Sequence, residues 1–269
     1  MSLSVELLPE ARMWMTLAKS NLPVVFVTGV PRSGTTLLKS VLVTHSAFGG
    51  TDGESTGLFK LRKLGEFRLG EVPKDVMRSA YSSSNDIIDF YERVAGAVLD
   101  VRKKRRFVDK VFPSRLRYEF VVRHFPASLF LNITRDARDC FCSAKHHPNV
   151  PQAKSAEIFA TYWMRSLALI SKLPAARRFD LTFEELTTEP TETITRLMSF
   201  LGEPFEEKQI EVSGYSATTS IKKREVHQNL GKEIAPRSVG RWKKELSAED
   251  RETFERIAGR KLRELGYGV

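Results

Sequence analysis

Apolar and polar positions follow two rhythms along the chain. Short β-branched or aromatic runs have the length and composition of strands: VVFVT at 24–28, RFVDKVF at 106–112, SLFLNIT at 128–134 and RRFDLTF at 177–183. Longer segments with apolar residues every three or four positions predict helices near 34–45, 84–103, 114–124, 136–146 and 153–172, with more near 190–201 and 247–265. Strand and helix in turn is the signature of βαβ units, so the expected fold is α/β, a parallel central sheet flanked by helices in three layers. No stretch rich in Pro, Gly or Ser divides the chain and no repeat is visible, which predicts a single domain over 1–269. Residues 213–238 carry no clear period and predict a long ordered loop or lid. Loops of that length inside a compact domain are usually functional or disordered.

Composition changes this picture only at the margins. The 269 residues are 41% hydrophobic and 28% charged, ordinary for a globular protein able to bury a core. No apolar run approaches the ~18 residues of a membrane span. The opening MSLSVELLPEARMW has acidic residues and no long apolar core, so no signal peptide is expected. Cys140 and Cys142 stand too close together for an unstrained disulfide and are read as reduced thiols, in keeping with a cytoplasmic location. The five histidines, His45, His124, His146, His147 and His227, show no metal-ligand spacing. His45, at the end of the first predicted helix, is read as structural.

Charge says more. The formal net charge of +10 implies an anionic partner without naming its class. The densest run, RKKRR at 102–106, ends an amphipathic helical segment, where cations complement the helix dipole. It is read as a solvated helix end. No zinc-finger spacing, RNP motif or basic–aromatic interleaving supports a nucleic acid.

The sharpest signal is GVPRSGTT at 29–36, between the first predicted strand and the first predicted helix. Strand, glycine-bearing turn and helix start together form an anion site, because backbone N–H groups of the turn and helix N-terminus converge on a bound phosphate. The stretch fits the phosphate-loop pattern G-x-x-x-x-G-K-[ST] at Gly29, Gly34 and Thr36, with Thr35 where the lysine belongs. That lysine serves the β- and γ-phosphates of a nucleoside triphosphate. No apolar strand ends in a persuasive metal-binding aspartate, since Asp109 is followed directly by Lys110. Thr35 and Thr36 offer hydroxyl donors and Arg32 a charged fork. The predicted ligand is therefore a nucleotide with an isolated 5′-phosphate, handled without a metal. A P-loop kinase and a non-enzymatic module for nucleic acid or another polyanion remain as alternatives.

Four segments in order resemble the sulfotransferases that use 3′-phosphoadenosine 5′-phosphosulfate (PAPS). They are PRSGTT after an apolar strand, TRDARDCFCSA at 134–144, LTFEELTTEPTETITRLMSFLG at 181–202 and RSVGRWKKEL at 237–246. The resemblance covers about residues 23–266 and implies a P-loop-type fold. It also implies PAPS as cosubstrate, adenosine 3′,5′-bisphosphate (PAP) as product, and a hydroxyl-bearing acceptor. Its implied nucleotide ligands are Arg32, Ser33, Gly34, Thr35 and Thr36 for the 5′-phosphate, and Arg135 and Ser143 for the 3′-phosphate, joined by Arg237 or nearby lid residues.

Among subfamilies the tyrosylprotein sulfotransferases are most similar, because their loop also reads GVPRSGTT. Through that likeness Glu54, in DGEST, matches an acidic residue after the loop's helix and is the implied general base. Lys110 in DKVFP, Ser220 in TTSIKK and Lys232 ahead of Trp242 match further site residues. With Arg32, Lys110 would neutralise charge in a metal-free in-line displacement. Two departures stand out. Phe183 replaces the tyrosine of many members, and DKVFP is one residue longer than the family's NKDP. The acceptor is a peptidyl tyrosine by this likeness, with a small-molecule, lipid or sugar hydroxyl as the alternative.

Overall fold

The computed structural model describes residues 17–51, 72–211 and 234–268. Five short strands, β1 (Val25–Thr28), β2 (Phe48–Gly50), β3 (Arg106–Lys110), β4 (Leu129–Thr134) and β5 (Arg178–Thr182), pair in parallel in the order β2-β3-β1-β4-β5. The connections carry helices α1 (Thr35–Thr44), α2 (Lys74–Ser83), α3 (Ile87–Arg102), α4 (Arg115–His124), α5 (Ala137–Ala144) and α6 (Ala156–Ile170). After β5 come α7 (Phe183–Thr188), α8 (Pro190–Leu201), α9 (Lys208–Glu211), α10 (Trp242–Glu245) and α11 (Ala248–Glu264).

β1 is central and wholly buried because its neighbours cover both edges and helices cover both faces. Its side chains alternate between the faces. Val25 and Val27 join Leu131 and Ile133 under Leu38 and Val41 of α1 and Ile194 and Leu197 of α8. Val24 and Phe26 join Phe130 under Phe90 and Val94 of α3 and Val121 of α4. A strand buried on both faces reads as an unbroken apolar run, which is why VVFVT was legible. A third cluster around Trp163 and Phe254 packs α5, α6 and α11 together.

Three features depart from the sequence reading. β2 was not foreseen, because FGG has little strand propensity. It exists through pairing with β3, and a side chain at residue 50 would put its Cβ 2.4 Å from the Val108 carbonyl oxygen. The helix expected over 84–103 is α3, started by Asp86, which accepts the amides of Ile88 and Asp89, and the separate helix α2 ahead of it was not foreseen. The strand expected over 177–183 stops at Thr182, where a reciprocal capping box with Glu185 starts α7.

The run at 102–106 also does more than end a helix. Lys103 takes the left-handed conformation that terminates α3, and Lys104 donates to the His45 carbonyl over 2.7 Å. Arg105 and Arg106 both reach Glu203, and Arg106 lies over the Phe48 ring. The run therefore fastens the start of β3 to the segments before β2 and after α8. His45 belongs to the same region and is structural, as read. It is buried, its Nδ1 accepts the Ala47 amide, and its Nε2 donates to the Pro204 carbonyl over 2.9 Å.

Candidate functional site

The loop between β1 and α1 is held by local necessity. A Cβ at Gly29 would sit 2.5 Å from the Ile133 carbonyl oxygen. Gly34 has φ 103°, and a Cβ there would meet the Phe183 ring at 2.7 Å. Arg32 is itself in the left-handed region at φ 73°, an uncommon and costly conformation for a side-chain-bearing residue. The loop delivers the chain into α1 through Gly34, with no side-chain cap, so the first-turn amides, which lack intrahelical partners, point out of the helix N-terminus. Ser33 is buried, and its hydroxyl has no partner among the described residues.

Neighbouring strands bring cations to this loop. In the sheet Lys110 lies beside Val27, so the end of β3 abuts the start of the loop. Its Nζ donates to the Thr36 hydroxyl over 3.2 Å. On the other side β4 ends at Thr134, and Arg135 follows. Its Nη1 donates to the Arg32 carbonyl (3.3 Å) and its Nη2 to the Ser238 carbonyl (2.6 Å) and hydroxyl (3.0 Å). The Arg135 guanidinium lies 4.2 Å over the Phe183 ring, and Trp163 donates to the Arg135 carbonyl. The Nε of Arg135 is buried without a partner among the described residues. One turn into α5 and beyond, Ser143 accepts Arg32 Nε at 3.0 Å. Burial, with Arg135 and Arg241 close by, pulls the Arg32 guanidinium below its ordinary value. Concentrated positive charge of this kind favours an anion.

The same helix start carries acidic residues. Asp139 is wholly buried, and its two oxygens accept the amides of Gly240 (2.7 Å) and Trp242 (3.0 Å). Burial pushes its carboxyl up, against the pull of those amides and of Arg135. Asp136 holds Arg138, whose guanidinium stacks 3.7 Å over Trp242. Glu184 accepts the Asp136 amide and the Tyr267 hydroxyl, and burial raises it too. Both cysteines of α5 are free and buried, and burial pushes Cys142 up to about 11, so neither is a ready nucleophile.

The family model described as "Sulfotransferase family" matches residues 23–207, which contain the loop, Lys110, Arg135 and Ser143. The chain belongs to the sulfotransferase family. An uncharacterized protein of Aquifex aeolicus (strain VF5) is 26% identical over 243 residues, covering 82% of this chain and 30% of that protein. Protein-tyrosine sulfotransferase 2 of Gallus gallus is 25% identical over 215 residues, covering 68% of this chain and 52% of that protein. The chain thus spans between about a third and a half of these curated relatives. The sulfotransferase domain of the Synechococcus PCC 7002 olefin synthase superposes with a TM-score of 0.71 at 18% identity, over 96% of this chain and 98% of that one. The sulfotransferase domain from the curacin biosynthetic pathway gives 0.65 at 19%, over 93% and 100%. Mouse sulfotransferase SULT7A1, solved with PAP, gives 0.57 at 15%, over 91% and 86%. These establish the α/β sulfotransferase fold.

Of the residues expected from the sequence, Arg32, Ser33, Gly34, Thr35, Thr36, Lys110, Arg135 and Ser143 converge at the strand ends of this sulfotransferase fold. Glu54, Ser220 and Lys232 lie outside the described residues, as does the predicted lid up to residue 233. Arg237 is exposed at the turn over 237–240, and beside it Ser238 meets Arg135. The sequence reading missed Asp139. The clue was its placement one helical turn after Arg135, the spacing of a facing pair. Asp109, weighed as a metal-binding aspartate, is wholly buried and accepts from the Tyr91 hydroxyl (2.8 Å) and the Lys110 amide (2.7 Å).

Proposed function

We propose that this chain transfers a sulfuryl group from PAPS to a hydroxyl acceptor. The observation that carries the reading is the 3.0 Å contact from Arg32 to Ser143, with Arg135 on the Arg32 carbonyl. It couples a 5′-phosphate loop to a second cationic site at a neighbouring strand end, as a nucleotide with phosphates at both the 3′ and 5′ positions requires. The residues fit such a ligand. The Ser33 hydroxyl and Arg135 Nε, buried without partners among the described residues, are polar groups that a nearby anion would satisfy.

PAPS, when bound, supplies a sulfuryl group carried on a phosphate leaving group. The loop amides with Ser33, Thr35 and Thr36 hold the 5′-phosphate. Arg135 and Ser143 hold the 3′-phosphate, with Arg237 or nearby lid residues such as Lys232. Arg32 and Lys110 neutralise the charge that develops between donor and acceptor, assisted by Ser220. Glu54 takes the acceptor proton. Thr35 in place of the loop lysine argues against γ-phosphoryl transfer. The acceptor assigned is a tyrosine hydroxyl, supported by the loop GVPRSGTT and by the similarity to the chicken protein-tyrosine sulfotransferase.

Thermal unfolding tests the nucleotide reading. PAP at about 100 times its Kd stabilises the native state by about 2.7 kcal/mol, visible as a raised midpoint without added metal. A rise only with ATP and Mg²⁺ would overturn the reading in favour of a kinase. Transfer of ³⁵S from labelled PAPS to a tyrosine peptide, set against simple alcohols and phenols, then tests the acceptor. Label on the alcohols alone would remove the tyrosine assignment and keep the sulfotransferase.

A further inference from the structure

We infer that Asp139 is a positioning residue: its buried carboxylate clasps the turn at 237–242 and so sets Ser238 against Arg135 to complete the 3′-phosphate site. The inference rests on the PAPS reading and goes beyond it. The nucleotide-binding segments of the sheet end with α5, whereas residues 237–242 are remote in sequence and follow a long stretch outside the described residues. The wholly buried Asp139 joins them by accepting two hydrogen bonds, one from the Gly240 amide and one from the Trp242 amide. Gly240 has φ 73°, so the turn bends sharply between the two anchored amides.

The consequence falls on Arg135. The carboxylate lies 3.8 Å from its Nη2, which also meets both oxygens of Ser238. With Phe183 under the guanidinium and Trp163 on its carbonyl, Arg135 is boxed on several sides. The lid side of that box depends on Asp139. A carboxylate accepts two amides at once. An asparagine amide accepts one and turns a donor toward the other, which leaves a buried N–H facing an N–H. Arg138, stacked over Trp242, supports the turn from beyond but touches neither Arg135 nor Ser238 in the hydrogen bonds described.

The test uses the full chain and two nucleotide probes, PAP and adenosine 5′-monophosphate, titrated by calorimetry. In Asp139→Asn the affinity for PAP falls about tenfold or more, the worth of one buried hydrogen bond to a charged group. The affinity for the monophosphate, which lacks the 3′ group, stays within about twofold, and the KM for PAPS rises with little change in kcat. Hydrogen exchange without nucleotide gives an independent arm, with the Gly240 and Trp242 amides exchanging about tenfold faster or more in the variant. Ser238→Ala, which keeps the clasp, weakens PAP about threefold with exchange at Gly240 unchanged. Equal loss of both nucleotides in Asp139→Asn, or no loss of either, overturns the inference, as does unchanged amide exchange. A wild-type protein that binds PAP no better than the monophosphate overturns the PAPS reading itself, while the exchange arm still decides whether the clasp exists.

Discussion

At the rim where the parallel strands begin, Arg105 and Arg106 share Glu203, and Lys208 and His45 meet Glu206 at 2.9 and 3.5 Å. At the rim where they end, Arg32 reaches the Ser143 hydroxyl, Lys110 the Thr36 hydroxyl and Arg135 the oxygens of Ser238. The residue types are alike and the partners differ. A carboxylate cancels a cation and makes a tether between chain segments. A hydroxyl or carbonyl holds a cation in position without cancelling its charge, and the carboxylate near Arg135, Asp139 at 3.8 Å, is shared with the amides of Gly240 and Trp242. The densest basic run in the sequence lies on the tethering rim, and the site is built from cations scattered over more than a hundred positions. Local charge density thus marks a tether in this fold, while the candidate site draws its cations from strand ends.

The contrast can be broken most directly by truncating one cation on each rim. Arg32→Ala should lower kcat/KM for sulfuryl transfer by about 10²–10³-fold, the scale for removing one preorganised charge-stabilising donor. Arg105→Ala, measured in the same steady-state assay, should leave it within about twofold. Comparable losses in both would abolish the distinction. Glu54→Gln should reduce turnover by about 10²-fold while PAP affinity, from calorimetry, stays near wild type; near-normal turnover would remove Glu54 as the base.

The tethering rim should answer in stability. Glu203 is almost fully buried, and Glu203→Ala strands the mostly buried Arg106 guanidinium, while the exposed Arg105 regains water, at a cost of about 2 kcal/mol. The unfolding midpoint should fall by about 4–8 °C, with kcat unchanged. The smallest effect concerns acid. Burial pushes Glu206 up, but the Ser46 hydroxyl and amide, Lys208 and His45 together bring it down to about 2. A depressed carboxyl contributes stability that is fully present above its unfolded value of about 4.3 and is lost as the pH falls toward 2. Denaturant melts of Glu206→Gln should show a shallower decline between about pH 4.5 and 2 than the wild type. Parallel acid limbs would show that the tether carries no such linkage.

Legibility in the sequence followed burial and locality. β1, β3, β4 and β5 were visible because covered parallel strands need apolar runs, although β3 and β5 end earlier than their patterns do. The loop at 29–36 was visible because a tight turn from strand into helix demands glycines at particular positions, here Gly29 and Gly34. Ser143 was reached only through family resemblance, since nothing in its local pattern separates it from any helical serine. β2 and the role of Asp139 were hidden for one reason: each depends on a partner far away in the chain, Val108 for Gly50 and Gly240 and Trp242 for Asp139.

By itself, then, the sequence determined the alternation of strand and helix, the glycine-bearing loop at 29–36 and the threonine, Thr35, where the phosphate-loop pattern has lysine. All three are properties of contiguous residues governed by periodicity, backbone freedom and the chemistry of single side chains. The tertiary structure decided which cations gather at the candidate site and which tether the scaffold. It also brought Ser238 to Arg135 and gave Asp139 the amides of Gly240 and Trp242 as partners. Those outcomes turn on which oxygen each charged group meets across the fold, and parallel crossovers bring together residues that no local pattern connects.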